Sequence, residues 1–250
     1  MKITQGYKSH ALRHFGFIKK FTLQKYTNKH KPLVMFGCYD EHDYNVVRNH
    51  KSDLTIVWCG GDIRKLTDNT LFKNHTHCSD HPRIVTMLND KGLKGTLLKC
   101  FSEVAPAKPV VKGNKIFAYV PGGEFYGAEW IPKIKTDYEI LSVGLNYTKN
   151  QWDNGVADSY YEQCFVGLAL SDWVGGLAGI VEMGLRGIPV ITNVIELPNT
   201  IPFTTVKDIE QAIKMVDIHI GTTDSYLAGH VKNAVICDSV DGFDLELLNK

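Results

Sequence analysis

The stretch FVGLALSDWVGGLAGIVEMGLRGIPVIT, residues 165–192, contains two short apolar segments on either side of a longer segment rich in glycine. Apolar runs of four to six residues, as at 165–170 and 189–192, are typical of strands buried in a parallel sheet. The intervening run at 177–185 has the length and apolar spacing of a helix that crosses from one such strand to the next. This stretch therefore predicts a strand–helix–strand unit.

The same alternation of short apolar runs and polar or helical segments extends in both directions along the chain. Further strands are predicted at 33–39, 54–59, 83–88, 95–101, 115–120 and 139–143, and a last strand or extended tail at 234–237. Further helices are predicted at 41–50, 126–134, 159–163 and 206–216. Residues 63–81 are interpreted as polar and irregular. The pattern predicts an α/β protein with parallel sheets.

A proline-punctuated stretch at residues 105–109, Ala-Pro-Ala-Lys-Pro, separates two runs of this alternation and resembles an interdomain linker. The length of 250 residues allows one or two domains. We therefore expect a domain at 1–107 and a second one at 108–250.

The composition is that of a soluble globular protein, with 44% hydrophobic and 22% charged residues. No apolar run approaches the roughly 18 to 20 residues of a membrane span, and no apolar segment of a secretory signal follows Lys2. The six cysteines form no CxxC pair, which favours reduced thiols. These features predict a cytoplasmic protein.

Charge divides the chain into unlike halves. Residues 1–105 hold 17 Lys and Arg against 9 Asp and Glu, whereas residues 106–250 hold 11 against 18. The first acidic residue is Asp40, and aromatic residues are interleaved with the lysines before it. Such a segment attracts nucleic acid or an anionic membrane surface, although a solvated helix with its aromatics packed on the domain has the same composition.

The segment around Glu182 resembles the donor-binding segment of the GT-B glycosyltransferases, especially the large retaining group. Glu182-Met183, Gly187 and the run 189–191 match the pattern of that family. The resemblance implies two Rossmann-like domains facing each other across a cleft, with Glu182 holding the ribose of a nucleotide sugar. The family often carries a second carboxylate eight residues earlier, where this chain has Val174, and Asp172 is the nearest acid.

Two glycine pairs are expected to bind the diphosphate of the donor, because glycine lets backbone amides approach a phosphate closely. One pair lies in the loop after the strand at 115–120, and the other opens the helix at 177–185. The family usually has an Arg and a Lys after the first of these loops, where this chain has Glu124 and then Lys133. The expected donor site comprises Gly122, Gly123, Tyr126, Trp173, Gly175, Gly176, Glu182 and Asn193.

The loop at residues 58–64, Trp-Cys-Gly-Gly-Asp-Ile-Arg, is similar to a His-Gly-Ser-Asp-Ile-Arg loop in the N-terminal domain of the same enzymes. The resemblance implies that Asp62 and Arg64 meet the sugar or the acceptor. With Asp172 they are the candidate catalytic residues. An alternative is that Asp62 only caps the following helix.

Two further clusters have simpler interpretations. The run 75–81 holds three histidines and a cysteine, which are zinc-ligand types, but it lacks a second ligand pair and fits an ordinary surface loop. The acids and histidine at 40–43 suit either a general base or the first turn of a capped helix. The family resemblance implies no metal and no cofactor besides the nucleotide sugar.

The predicted function is therefore glycosyl transfer from a UDP- or GDP-sugar. The basic half suits an anionic or polymeric acceptor, such as DNA with hydroxylated bases, a glycan or a lipid, and the short chain resembles the compact transferases of viruses and phages. We expect no obligate protein partner, and a location in the cytoplasm (of the host, if viral) or at a membrane surface. The alternatives are a sugar-nucleotide epimerase or hydrolase, and a non-catalytic nucleotide- or nucleic-acid-binding protein.

Overall fold

A computed structural model describes residues 6–9, 24–98, 108–120, 126–143, 156–171 and 177–235. The described residues group into two compact units, one drawn from residues 6–98 and the other from residues 108–234. Each unit contains its own parallel sheet. The expected linker at 105–109 lies mostly outside the described residues.

The sheet of the first unit has the strand order β2-β1-β3-β4-β5-β6, and each pair of neighbours is parallel. Its strands are β1 (Gly6–Ser9), β2 (Gln24–Lys25), β3 (Leu33–Phe36), β4 (Leu54–Trp58), β5 (Thr76–Ser79) and β6 (Gly95–Leu97). Its helices are α1 (Glu41–Asn49), α2 (Gly61–Lys65) and α3 (Pro82–Asp90), with a 3-10 turn at Thr70–Phe72.

The central strands β3 and β4 are buried along their whole length, which is why β3 is wholly apolar and β4 is apolar except for Thr55. Helix α1 begins at a capping box, in which Asp40 accepts a hydrogen bond from the Asp43 amide and Asp43 accepts from the Asp40 amide. This cap accounts for the acidic residues at 40–43 without assigning them a catalytic role.

The sheet of the second unit has the order β11-β10-β9-β7-β8, again with parallel neighbours. Its strands are β7 (Lys115–Tyr119), β8 (Ile140–Val143), β9 (Cys164–Ala169), β10 (Val190–Thr192) and β11 (Thr200–Ile201). Its helices are α4 (Val156–Tyr161), α5 (Leu177–Leu185), α6 (Val206–Val216) and α7 (Ser225–Val235), with 3-10 turns at Ile131–Lys133 and Asp217–His219.

Apolar clusters cover both faces of this second sheet. Phe165 and Ile191 pack with helix α6 on one face, while Phe117 and Val190 pack with Met183 of helix α5 on the other. Gly167 allows the close approach of α5, because a Cβ built there would lie 2.5 Å from the Met183 sulfur. Glycine within β9 thus sets the distance between the helix and the sheet.

The Gly-Ile-Pro turn between α5 and β10 has a steric reason. Gly187 has φ of +78°, in the left-handed region that favours glycine. A Cβ at this position would also lie 2.4 Å from the Asp224 carbonyl oxygen. Only glycine fits the turn that returns the chain to the sheet.

Four sequence predictions of local structure are wrong. Residues 83–88 belong to helix α3, whose buried positions Ile84 and Leu88 are four residues apart and whose first residue, Pro82, suits a helix start. The stretch 63–81 contains the buried strand β5. In place of the helix expected at 126–134, residues 126–133 form turns that end in a 3-10 turn. Residues 234 and 235 end helix α7, and residues 236 and 237 lie outside the described part.

The N-terminal sheet also begins earlier than the sequence pattern predicts. Strand β1 pairs with β3 along four residues and with β2 on its other side. The basic segment before Asp40 therefore contributes strands to the sheet. Residues 1–5 and 10–23 of this segment lie outside the described part of the chain.

Two further observations concern the described residues alone. None of the helices they form is long and apolar enough to cross a membrane. Cys38, Cys59, Cys78 and Cys164 are buried and carry free thiols.

We predict that Gly187→Ala lowers the free energy of unfolding by about 2 kcal/mol or more, because it strains the backbone and meets the Asp224 carbonyl. Urea unfolding followed by circular dichroism measures the change. The matched control is Gly229→Ala, an exposed site in helix α7 with no atom within 4 Å of the new Cβ. That variant is expected to be more stable by about 0.5 to 1 kcal/mol. Equal effects of both variants would contradict this account.

Candidate functional site

In the second unit the chain reverses its direction across the sheet between β7 and β9. From β7 it continues to the edge strand β8, then returns to the other side of β7 as β9 and continues outward to β10. Crossover segments therefore diverge above the carboxyl ends of β7 and β9. In open parallel sheets ligands bind at such a switch point.

A cavity lies at this position. The strand ends β7 and β9 and helix α5 supply most of its wall, which is largely apolar and aromatic. Its lining residues are Phe117, Tyr119, Tyr126, Leu168, Ala169, Leu170, Ser171, Gly179, Ile180, Met183 and Val190. Its volume is about 20 Å³, room for roughly one water molecule, so it is a small apolar void beneath the strand ends and not a space for a whole ligand.

Two tyrosines form one side of the cavity. Tyr119 ends β7, and the ring of Tyr126 packs edge-on against it with ring centroids 5.8 Å apart. Burial raises the pKa of the Tyr126 phenol, so this hydroxyl stays protonated at neutral pH. Gly127 follows in a left-handed conformation, and a Cβ there would lie 2.4 Å from the Leu170 carbonyl oxygen. The absence of a side chain at Gly127 therefore lets this segment lie directly on the end of β9.

Helix α5 borders the cavity through Gly179, Ile180 and Met183, and Glu182 lies between them in sequence. The Glu182 side chain is partly exposed and is not among the lining residues. One of its carboxylate oxygens, Oε2, accepts a 2.9 Å hydrogen bond from the Tyr161 hydroxyl. The structure thus places Glu182 on the helix that borders the cavity, with its carboxylate bonded to the buried Tyr161.

The remaining predicted donor-site residues are distributed as follows. Tyr126 lines the cavity. Asn193 follows strand β10, and its side-chain amide binds the backbone carbonyl and amide of Phe203, so it joins the loops after β10 and β11. Six predicted site residues lie outside the described part of the chain: Gly122, Gly123, Asp172, Trp173, Gly175 and Gly176.

In the first unit, Asp62 organises the carboxyl edge of the sheet. Its carboxylate is fully buried and accepts hydrogen bonds from the backbone amides of four residues, at distances of 2.8 to 3.2 Å: Cys38, Cys59, Gly60 and Ile63. Burial raises the pKa of this carboxyl group, while the four amide donors act in the opposite direction. The carboxylate therefore ties the loop after β3 to the loop after β4.

The two candidate catalytic residues of this loop have different surroundings. Asp62 has no exposed surface, and its hydrogen bonds give it an architectural role broader than a helix cap. Arg64 lies on the same short helix α2 with its side chain exposed. Of the two, Arg64 is therefore the residue whose side chain meets solvent.

The histidine-rich run at 75–81 is mostly a buried strand and a helix cap rather than a surface loop. His77 accepts from the Trp58 indole N–H at 3.1 Å, and its other ring nitrogen binds the Phe72 carbonyl at 2.9 Å. His81 caps helix α3 through the Arg83 amide. The described residues contain no group of three or more His, Cys, Asp or Glu arranged to hold a metal ion.

Sequence reasoning missed Tyr119, Leu170 and Ser171, although each ends or follows a predicted strand and the strand-end rule could have identified them. It also missed Tyr161, for which the sequence contains no signal. Its partner Glu182 lies 21 residues away, and only the packing of α4 against α5 brings the two together.

We predict that Asp62→Ala lowers the free energy of unfolding by about 3 kcal/mol or more, because it removes the acceptor of four buried backbone amides. Urea unfolding measures the loss. Asp68→Ala is the matched control, since Asp68 is exposed and accepts from the single amide of Thr70. A loss for Asp62→Ala no larger than that of the control would show that the loops do not depend on this carboxylate.

The buried His77 predicts a dependence of stability on pH. Burial lowers the pKa of His77 to about 4, against an ordinary value of 6.5, because the charged imidazolium would lose its contact with water. The stabilisation by neutral His77 is therefore complete above pH 6.5 and falls by about 3 kcal/mol as the pH drops from 6.5 to 4. Urea unfolding at several pH values should show a shallower decline for His77→Gln than for the wild type. The exposed control His42→Gln should follow the wild type, and parallel curves for all three would refute the assignment.

Comparison with known proteins gives a structural match only. No protein-family model and no curated sequence matches the chain. The structure is similar to that of TarM, with a TM-score of 0.64 and 13% identity over 94% of this chain and 57% of TarM. It is also similar to sucrose-phosphate synthase from Thermosynechococcus elongatus, with a TM-score of 0.52 and 14% identity over 93% of this chain and 74% of the synthase.

A third match is the glycosylation-associated Gap123 complex from Streptococcus agalactiae, with a TM-score of 0.50 and 11% identity over 93% of this chain and 56% of that one. The chain spans little more than half the length of the TarM and Gap123 chains. All three solved structures are GT-B proteins. With two units built on parallel sheets and these structural neighbours, the chain has the GT-B fold.

Proposed function

We propose that this protein is a glycosyltransferase that takes its sugar from a nucleoside-diphosphate donor bound by the second unit. The observation that carries the proposal is the switch point at the carboxyl ends of β7 and β9, beside two partly exposed tyrosines and the helix that bears Glu182. The GT-B neighbours, which are glycosyltransferases, support the reaction class.

In this proposal the nucleoside binds at the carboxyl ends of β7 and β9, over the small cavity. Tyr119 and Tyr126, which are partly exposed there, offer aromatic surface to a base. Glu182 accepts hydrogen bonds from the ribose hydroxyls, since an ionised carboxylate accepts on both oxygens and is suited to a pair of neighbouring hydroxyls. The donor would thus be oriented by its nucleoside before the sugar reacts.

Transfer builds negative charge on the departing diphosphate, and the protein must offer hydrogen-bond donors there. We assign this role to the backbone amides of the glycine pairs at 122–123 and 175–176, on the basis of the sequence. The helix dipole of α5 favours the same charge at its N-terminal end. We propose that the exposed Arg64 of the first unit assists with charge at the sugar or acceptor, and that the two units face each other across the substrate. No metal or other cofactor is needed in this scheme.

The acceptor is proposed from charge. Residues 1–105 carry a net charge of +8, which favours an anionic or polymeric acceptor such as DNA with hydroxylated bases, a glycan or a lipid. UDP- and GDP-sugars are the proposed donors. A second candidate, a non-catalytic nucleotide-binding protein, is favoured by Val174, which stands where the related enzymes carry an acid.

We predict that UDP or GDP raises the melting temperature of the wild-type protein, and that Glu182→Ala weakens binding of the stabilising nucleotide at least about tenfold, because a hydrogen bond to a charged group is lost. Thermal shift identifies the nucleotide, and calorimetric titration gives its dissociation constant. Glu162→Ala is the matched control, since that glutamate is exposed and precedes β9, at the opposite edge of the sheet from the cavity.

If neither nucleotide nor its sugars bind the wild type, the proposed function is wrong. If a nucleotide binds and both glutamate variants keep the same affinity, the assignment of Glu182 is wrong. Incubation with the matching sugar nucleotide then separates the two candidates, because a transferase consumes the donor in the presence of an acceptor whereas a binding protein leaves it intact.

A further inference from the structure

Glu182 is held by a buried tyrosine that belongs to a different helix. Tyr161, the last residue of α4, has no exposed surface, and its hydroxyl donates to Glu182 Oε2 at 2.9 Å. A phenol that donates to a carboxylate stabilises the ionised form and fixes the position of the accepting oxygen. A partly exposed glutamate without such a donor would sample several rotamers.

Tyr161 itself has little freedom to move. On one side its ring packs edge-on against Phe117, with centroids 4.9 Å apart, and Phe117 lines the cavity. On the other side the Arg186 guanidinium lies 5.2 Å from the ring centroid. Arg186 also donates to the Glu182 backbone carbonyl at 2.8 Å, so the same arginine contacts both partners of the tyrosine–glutamate bond. The three side chains form one connected arrangement.

The arrangement borders the cavity. A Cβ built at Gly179 would lie 3.5 Å from the Tyr161 hydroxyl, and Gly179 is part of the cavity wall. The Tyr161 hydroxyl, and with it the Glu182 oxygen that it binds, therefore lies next to the section of α5 that borders the cavity.

We propose that Tyr161 is a positioning residue that sets the preference of the site for ribose over 2′-deoxyribose by orienting Glu182; this inference rests on the proposed function. Arg186 supports it by restraining the Tyr161 ring. Tyr161 does not touch the ligand in this scheme, and its effect reaches the nucleotide only through the Glu182 carboxylate.

The test compares the affinities of UDP and 2′-deoxy-UDP, and of GDP and 2′-deoxy-GDP, by calorimetric titration. The wild type is expected to prefer the ribonucleotide, and Tyr161→Phe is expected to reduce that preference about threefold to tenfold while keeping the ring and its packing. The control Tyr160→Phe removes a hydroxyl one residue away and should leave the preference unchanged. Because the readout is a ratio of two affinities on one sample, a partly unfolded variant does not distort it.

Arg186→Met is the second variant, and it should reduce the preference in the same direction. If the wild type binds neither UDP nor GDP, the proposed function fails. A third outcome separates the two claims: the wild type prefers the ribonucleotide, Glu182→Gln loses that preference, and Tyr161→Phe keeps it. That outcome overturns only this inference and leaves Tyr161 with a packing role alone. A wild type that binds the ribonucleotide and the 2′-deoxyribonucleotide of the same base equally would overturn both the Glu182 assignment and this inference.

Discussion

All strands of a parallel sheet end at the same edge, and the chain must leave that edge through loops whose backbone groups need partners. The two units meet this constraint in different ways. In the first unit a single buried carboxylate, that of Asp62, accepts four backbone amides and closes the loops after β3 and β4 against each other. In the second unit the strand order reverses between β7 and β9, and a small apolar cavity lies at the ends of these strands.

This difference has a consequence for where binding specificity can arise. A carboxylate that already accepts four amides is committed to the architecture of its loop, whereas Arg64 of the same loop is exposed. In the second unit the Glu182 carboxylate accepts from the Tyr161 phenol, and the Glu182 backbone carbonyl accepts from the Arg186 guanidinium. In the proposed scheme, recognition of the donor nucleoside therefore falls to the second unit.

Much of the second unit can be predicted from its sequence, because local pattern and tertiary environment agree there. Helices α5 and α6 have the predicted bounds, since their apolar residues recur at helical spacing, and Thr205 caps α6. The prediction fails at residues 83–88, where β-branched residues favour a strand but Pro82 and the His81 cap begin a helix. At these residues, capping and the burial of one helix face outweigh the local preference for a strand.

The candidate site is less predictable than the fold, because its geometry depends on contacts between distant residues. Gly187 and the Pro189–Ile191 run match the family pattern for steric and packing reasons, which apply to any chain that returns from α5 to β10 in this way. Such matches are evidence for the fold. Glu182 is the matching position whose side chain is partly exposed, and it bonds to Tyr161, which no motif includes. The proposed chemistry thus depends on Glu182, a single position of the family pattern. The hydrogen bond from Tyr161 relates that position to the three-dimensional structure.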